Sequence, residues 1–310
     1  MKKNCSVGGQ AVIEGVMMRG SKGIATAVRK TSGEIVVELE RFTPYSKRNI
    51  FLGIPIVRGF IALVESLVIG IKTLNYSASF FEEEEEKESK FDIWLKNTFK
   101  DKLDTVITII TLIVSFLFSI FLFVAIPTIT ANFFVKIGIE NSIVLNIIEG
   151  LIRVILFLTY IYLIAKMEDI NRVFQYHGAE HKTIFCYENQ EELIPEKAQK
   201  YSRFHPRCGT NFLFLVMIVS IILYSLTGWD SLFQRLMYRI LLLPVVSGVT
   251  YELIKWIGKS NSKISKIISY PGLMLQKLTT REPDLQELEV AIKALKSAEG
   301  IEDKIVKNEE

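Results

Sequence analysis

All three histidines of this 310-residue chain, His177, His181 and His205, lie between positions 177 and 205. Clustered histidine is what a metal site needs. The first part reads His177-Gly-Ala-Glu180-His181, the inverted form of the zinc-binding H-E-x-x-H order. On a helix, His177 and His181 stand one turn apart on one face, so two imidazoles can reach one ion. Glu180 is placed beside them to orient or deprotonate a water activated by that ion. Asp169, eight residues before His177, shares that side of a continuous helix and is a candidate supporting partner. The second part, His205-Pro-Arg207-Cys208-Gly, offers His205 or Cys208 as a third ligand. In a reducing compartment Cys208 stays a thiol, available as thiolate. Two histidines and a carboxylate accept Zn²⁺, Fe²⁺ or Mn²⁺; zinc is the expected divalent metal. The distal glutamate of the inverted motif has no good counterpart, since Glu188, Glu191 and Glu252 are poorly spaced. Two blander roles compete: hydrogen bonding across a polar helix interface, or binding lipid phosphate with Lys182, Arg203 and Arg207. Cys186 reads as a packed thiol.

The elements that must position these residues are set by where the apolar residues fall. The chain is 49% hydrophobic and 23% charged, with mean hydropathy +0.29. The apolar residues come in blocks long enough to cross a bilayer, which needs about 20 residues each. Four blocks qualify, near 104–127, 143–165, 211–226 and 236–257. Glu149 and Arg153 share a helix face in the second and can neutralise each other. Lys and Arg orient the blocks. The 166–210 segment holds Lys166, Arg172, Lys182, Lys197, Lys200, Arg203 and Arg207, whereas 128–142 holds only Lys136. The expectation is a multi-pass cell-membrane protein with the 166–210 segment and both termini in the cytoplasm.

A fifth apolar stretch, Phe51 to Tyr76, carries Arg58, Glu65 and Lys72 at seven-residue intervals, on one helix face. It reads as an interfacial or re-entrant helical hairpin broken around Pro55–Gly59 and Gly70. Ile24–Lys30 and Glu34–Arg41 read as a β-hairpin, with Gln10–Met18 as a third strand. So small a β unit needs support, expected from the membrane helices. Glu82–Glu86 reads as a solvated linker, and Asp284–Ser297 as an amphipathic docking helix presenting Leu285, Leu288, Ile292 and Leu295. The expected fold is a mainly α integral membrane protein with about four transmembrane helices, an interfacial or re-entrant segment and a small cytoplasmic β unit. Its divisions are a β-rich region at 1–50, the re-entrant segment at 51–81, an acidic lead-in at 82–103, a transmembrane hairpin at 104–165, the His/Cys segment at 166–210, a second hairpin at 211–257 and a tail at 258–310. A net charge of +3 gives no basis for a nucleic-acid partner. Three cysteines make no disulfide framework, and residues 1–19 lack the apolar core of a secretory signal.

Several segments together resemble the bacterial YqhQ family. They are Gly8-Gly9-Gln10-Ala11-Val12-Ile13-Glu14-Gly15-Val16-Met17-Met18-Arg19-Gly20, Arg58-Gly59 with Glu65-Ser66-Leu67 and Gly70, Tyr176 to Thr183, His205 to Thr210, and Pro271-Gly272-Leu273 through Thr279-Thr280-Arg281-Glu282-Pro283. The resemblance implies an integral membrane protein of a family labelled a predicted metal-dependent enzyme, a label that rests on the same His/Glu pattern. It marks Gln10, Glu14, Arg19, Arg58, Glu65, His177, Glu180, His181, His205, Arg207 and Cys208 as site positions. The five segments are expected to converge at the membrane–cytoplasm boundary. Metal-assisted hydrolysis of a lipid-borne group is the first functional reading. A non-catalytic membrane assembly, insertion or lipid-handling factor, with lipid or protein partners, is the second.

Overall fold

Residues 8–40 alternate β-forming runs with tight turns. In the computed structural model, which describes residues 7–47, 49–81, 103–228, 231–260 and 262–301, they form a four-stranded antiparallel meander. The strands are β1 (Gly8–Val12), β2 (Gly15–Arg19), β3 (Ile24–Arg29) and β4 (Ile35–Glu40). The Glu82–Glu86 run and Cys5 lie outside the described residues. The expected single strand Gln10–Met18 is instead a hairpin, with Val12 opposite Gly15 and Glu14 at φ +47° in the turn. A glutamate is uncommon in that backbone region; its carboxylate is held from outside the sheet, as described below.

Period-two alternation sends Val16, Met18, Ala25 and Ala27 into the core. What covers them is not one of the apolar helices, contrary to expectation. It is α10 (Leu285–Glu299) and α5 (Glu168–Glu188), the final helix and the histidine-bearing helix. α10 starts with a reciprocal cap, Asp284 accepting the Glu287 N–H and Glu287 the Asp284 N–H, both at 2.8 Å. It stops at Gly300, whose φ of +66° is left-handed. Leu288, Ile292 and Leu295 are buried as the amphipathic pattern predicts, each contributing about 1.5–3 kcal/mol, whereas Leu285 is exposed.

The apolar blocks form α2 (Leu103–Ile120), α3 (Ile126–Lys136), α4 (Ser142–Ile164), α7 (Gly209–Ser225) and α8 (Leu232–Lys259). α6 is the single turn Pro195–Ala198 and α9 is Lys263–Thr279. Among the described residues, three helices are long and apolar enough to cross a membrane, at Ile109–Lys136, Ser142–Ile164 and Phe233–Gly258. The first runs on past Pro127, where the sequence reading ended it, because a π-helical turn at Phe121–Ala125 joins α2 to α3. The third expected block, α7, is apolar but only 17 residues long, and it packs between α4 and α8.

The 51–76 stretch is one helix, α1 (Val57–Ala78), preceded by a short helical turn at Phe51–Gly53. The chain does break at Pro55–Ile56, where Ile56 has φ +72°. It does not break at Gly70, where the absent Cβ makes room for the Gln10 amide. α1 lies along α8, and its charged residues find separate partners. Arg58 grips Glu252 at 2.6 and 2.5 Å, buried Glu65 accepts the Tyr45 N–H, and Lys72 pairs with Glu40 on the surface.

Between the apolar helices sits a buried ionic cluster. Glu149 of α4 accepts from Arg153 at 2.8 Å, from Arg239 of α8 and from Thr128 of α3 at 3.2 Å. Arg239 also donates to Thr128 at 2.5 Å, and Arg153 to the Phe123 carbonyl within the π turn at 3.0 Å. The i, i+4 pairing of Glu149 and Arg153 is as the sequence suggested; Arg239 is the addition. Removing the one carboxylate strands two buried guanidinium groups. Glu149→Ala is therefore expected to cost about 3–5 kcal/mol of stability in detergent unfolding, and Glu149→Ala/Arg239→Ala less than the sum of its single changes. Additive costs would mean the charges do not depend on one another.

Candidate metal centre

The centre is built on α5, whose middle residues Tyr176 to Thr183 are mostly buried. His177 and His181 present their rings 4.5 Å apart between centroids. Each ring is fixed by a backbone carbonyl from a different segment. His177 Nδ1 lies 2.8 Å from the carbonyl of Thr279, the last residue of α9, and His181 Nδ1 lies 2.5 Å from that of Arg203, in the loop before α7. A carbonyl can only accept, so both Nδ1 atoms carry the proton and both Nε2 atoms present lone pairs. His177 Nε2 meets the Cys208 sulfur at 3.2 Å. His181 Nε2 is buried and without a hydrogen-bond partner. Atoms of His177, His181 and Cys208 that could ligate an ion all lie within 4.8 Å of one another. Cys208 is the N-cap of α7, and its sulfur also accepts the Thr210 N–H at 3.4 Å.

His205 stands at the edge of this group. Its ring is 5.6 Å from that of His181 and 4.5 Å from that of Phe185. Its Nδ1 accepts the Arg207 N–H at 3.3 Å, so the proton is on Nε2, facing Glu188 at 3.7 Å. Of the two candidates for third ligand, Cys208 thus has the geometry and His205 does not. Burial pushes the His205 pKa down to about 4. It also lowers that of His181, helped by neighbouring His177 and opposed by Cys208. Glu180 is buried beside them and takes a hydrogen bond from the Gly9 backbone. Burial raises its pKa, while His177, His205 and that bond pull the other way. A Cβ on Gly9 would meet Met17 O at 2.6 Å and Glu180 Cγ at 2.9 Å, so only glycine allows β1 this close to α5.

Asp169 does not support the imidazoles. It is exposed in the first turn of α5, about 12 Å along the helix from His177, and the carbonyls of Thr279 and Arg203 occupy the supporting role. These carbonyls left no trace in the residue pattern. They are held by residues that the quoted motifs contain. Buried Gln276 grips the His205 backbone with both ends of its amide, at 2.7 and 2.8 Å. Thr280 accepts from Arg203 at 2.9 Å. Glu282 pairs with Lys182 at 2.9 Å and Arg203 at 3.3 Å, and Arg207 pairs with Glu188. The three cations considered for lipid phosphate are thus engaged within the protein.

Four of the five segments meet around α5, and of these the Arg58–Gly70 segment touches only the N-terminal motif. The N-terminal motif reaches α5 through Gly9 and through Glu14, which binds Arg172 at 2.7 and 2.9 Å and accepts from Tyr176 at 3.1 Å. Gln10 packs on Gly70 of α1. Arg19 lies over the Phe42 ring at 4.5 Å. Arg58 and Glu65 stay with their own partners and do not join the histidines.

Beneath Glu14, Arg172 also reaches Glu287 at 3.4 Å. Glu287 is fully buried, and burial pushes its pKa up to about 7. A carboxyl with a raised folded-state pKa stabilises most below its unfolded pKa near 4.5, and that contribution is lost as pH rises towards 7. Glu287→Gln should remove this dependence. Relative to the variant, wild type is expected to lose roughly 2–3 kcal/mol between pH 5 and 7.5. Parallel stability curves for the two proteins across that window would refute it.

Residues 54–300 match the family model described as "Protein of unknown function (DUF1385)". The chain is 38% identical over 299 residues to "Uncharacterized protein YqhQ" of Bacillus subtilis (strain 168), covering 93% of this chain and 90% of that protein. No solved structure matches the chain. With one family model over most of its length and a relative 38% identical across 93% of it, the chain belongs to the YqhQ family of DUF1385 proteins.

Proposed function

We propose that His177, His181 and Cys208 hold a divalent metal ion, zinc by its donor set, in a centre that carries out hydrolysis at the cytoplasmic face of the cell membrane. The observation that carries this reading is the pair of carbonyl-fixed imidazoles, whose two Nε2 lone pairs and the Cys208 sulfur face one point. Imidazole with thiolate suits zinc better than iron or manganese. Three protein ligands leave a position open, as in catalytic rather than structural zinc sites. A bound ion supplies Lewis acidity there. Glu180, desolvated and adjacent, holds or gives up the proton of the reaction. The neutral state of His181 and His205 near pH 7 follows from their burial.

The membrane assignment rests on surface chemistry. Ile110, Phe116, Leu117, Phe118 and Phe121 are exposed along α2 and the π turn, an apolar surface that calls for hydrocarbon around it. Four crossings, through α2–α3, α4, α7 and α8, place the Lys/Arg-rich 166–210 segment and both termini in the cytoplasm. α7 spans only about 25 Å but is flanked by α4 and α8. α1 then enters from the same side as a re-entrant element, its apolar start at Ile54–Val57 exposed.

Protein purified without chelator and offered zinc should carry about one equivalent of metal. His177→Ala/His181→Ala should lose it while keeping its circular dichroism, and Cys208→Ser should bind more weakly. Glu180→Gln should keep the metal and lose hydrolysis in a screen of membrane lipids. Metal-free wild type under these conditions would overturn the centre. A Glu180→Gln variant with full cellular function would leave a structural ion in a membrane assembly or lipid-handling factor.

A further inference from the structure

A cleft of about 200 Å³ opens between the sheet and α1, lined by Gly8 and Gly9, by the polar Gln10, Arg19 and Ser66, and by the apolar Met17 and Ile69. It is smaller than a pocket for a whole drug-sized ligand, and its walls are mostly apolar, with the polar ends of Gln10, Arg19 and Ser66 set among them. Arg19 supplies the charge. Elsewhere in the protein Arg29, Arg58, Arg153, Arg172, Arg203 and Arg239 each hold a carboxylate. Among the described residues none pairs with Arg19, whose noted contact is the face of Phe42. A guanidinium left in this way offers a planar fork of donors suited to phosphate. The Ser66 hydroxyl and the Gln10 amide add neutral donors. On the same helix as Ser66, Val64, Leu67, Val68 and Ile71 are exposed, so a polar notch and an apolar strip adjoin. Gly9 lines the cleft and also donates its N–H to Glu180. The cleft is therefore one strand's width from the metal centre.

We propose that this cleft is a phosphate subsite centred on Arg19, and that the phosphate belongs to a membrane lipid whose acyl chains lie on the exposed strip of α1. What then happens to the lipid rests on the hydrolytic reading of the centre; the binding does not.

The test uses the full-length protein in detergent, titrated with dioctanoyl phosphatidylglycerol, inorganic phosphate and dioctanoylglycerol, with native mass spectrometry as the readout. The phosphatidylglycerol is expected to bind. Arg19→Ala should weaken it about tenfold or more, which is the loss of one charge-assisted contact. Arg19→Lys should fall between. Ser66→Asp keeps Arg19, lies on an exposed helix surface and should abolish binding by setting a carboxylate beside the guanidinium. Inorganic phosphate that displaces the lipid supports the subsite. Phosphate that binds as tightly as the lipid removes the lipid as its source. Equal binding of dioctanoylglycerol, or wild-type binding by both Arg19→Ala and Ser66→Asp, overturns the proposal. Metal content separates the two readings. It should be unchanged in the Arg19 and Ser66 variants, and Arg19-dependent lipid binding by a protein that takes up no metal would sink the hydrolase and leave the subsite standing.

Discussion

The arrangement around α5 depends on burying two imidazoles with their Nδ1 protons already committed. A buried ring nitrogen without a partner is costly. Two protons donated to two carbonyls settle which nitrogens are satisfied, and they force the opposite atoms to face each other and Cys208. The carbonyls belong to segments about 75 residues apart in sequence, so neither can be moved without moving an imidazole. Gln276 then fixes one segment to the other by holding the His205 backbone at both ends of its amide. α9, the loop before α7 and α5 become one rigid unit by hydrogen bonds that are almost all out of water. Rigid supports of this kind are what a metal centre requires of its surroundings.

The same economy of polar groups recurs among the apolar helices. Glu149 is shared by Arg153, Arg239 and Thr128, and a carboxylate so placed fixes the relative position of α3, α4 and α8. A buried ion pair is weak evidence for stability and better evidence for register. The π turn at Phe121–Ala125 belongs to that register, because its Phe123 carbonyl receives Arg153. The helices that carry the exposed apolar surface are thereby set relative to α7, whose N-cap is Cys208. The position of Cys208 is linked to the packing of the apolar bundle.

Much of this was legible in the chain, and the parts that were not have physical reasons. Spacing alone placed His177 and His181 on one face, because a helical period acts on neighbours in sequence. The apolar blocks and the final amphipathic helix were equally plain. The hairpin at Ile13–Glu14 was not, because its left-handed glutamate is stabilised by Arg172 and Tyr176, more than 150 residues away. Asp169 was chosen as a supporting residue because side chains are visible in a sequence and backbone carbonyls are not. The choice between His205 and Cys208 turned on a tautomer, set by one N–H from Arg207. The support of the sheet was misjudged because the helix that carries the histidines, read for its polar face alone, also buries a face of its own against the strands.

That helix is where the two halves of the protein meet. Its N-terminal half carries Arg172 and Tyr176, which hold the β1–β2 turn; its middle carries the histidines and Glu180; its far end, through Glu188, holds Arg207 beside α7. Glycine at position 178 lets the Arg281 carbonyl pass directly over the helix, and the Thr279 carbonyl that fixes His177 arrives by the same crossing. Adding a methyl group there would push the crossing segment away and take the His177 acceptor with it. The small residues of the His-Gly-Ala-Glu-His order are therefore part of the His/Cys cluster as much as its imidazoles are. The motif is an instruction for close backbone approach on one face and for imidazoles on the next, and the sequence order alone displays only the second.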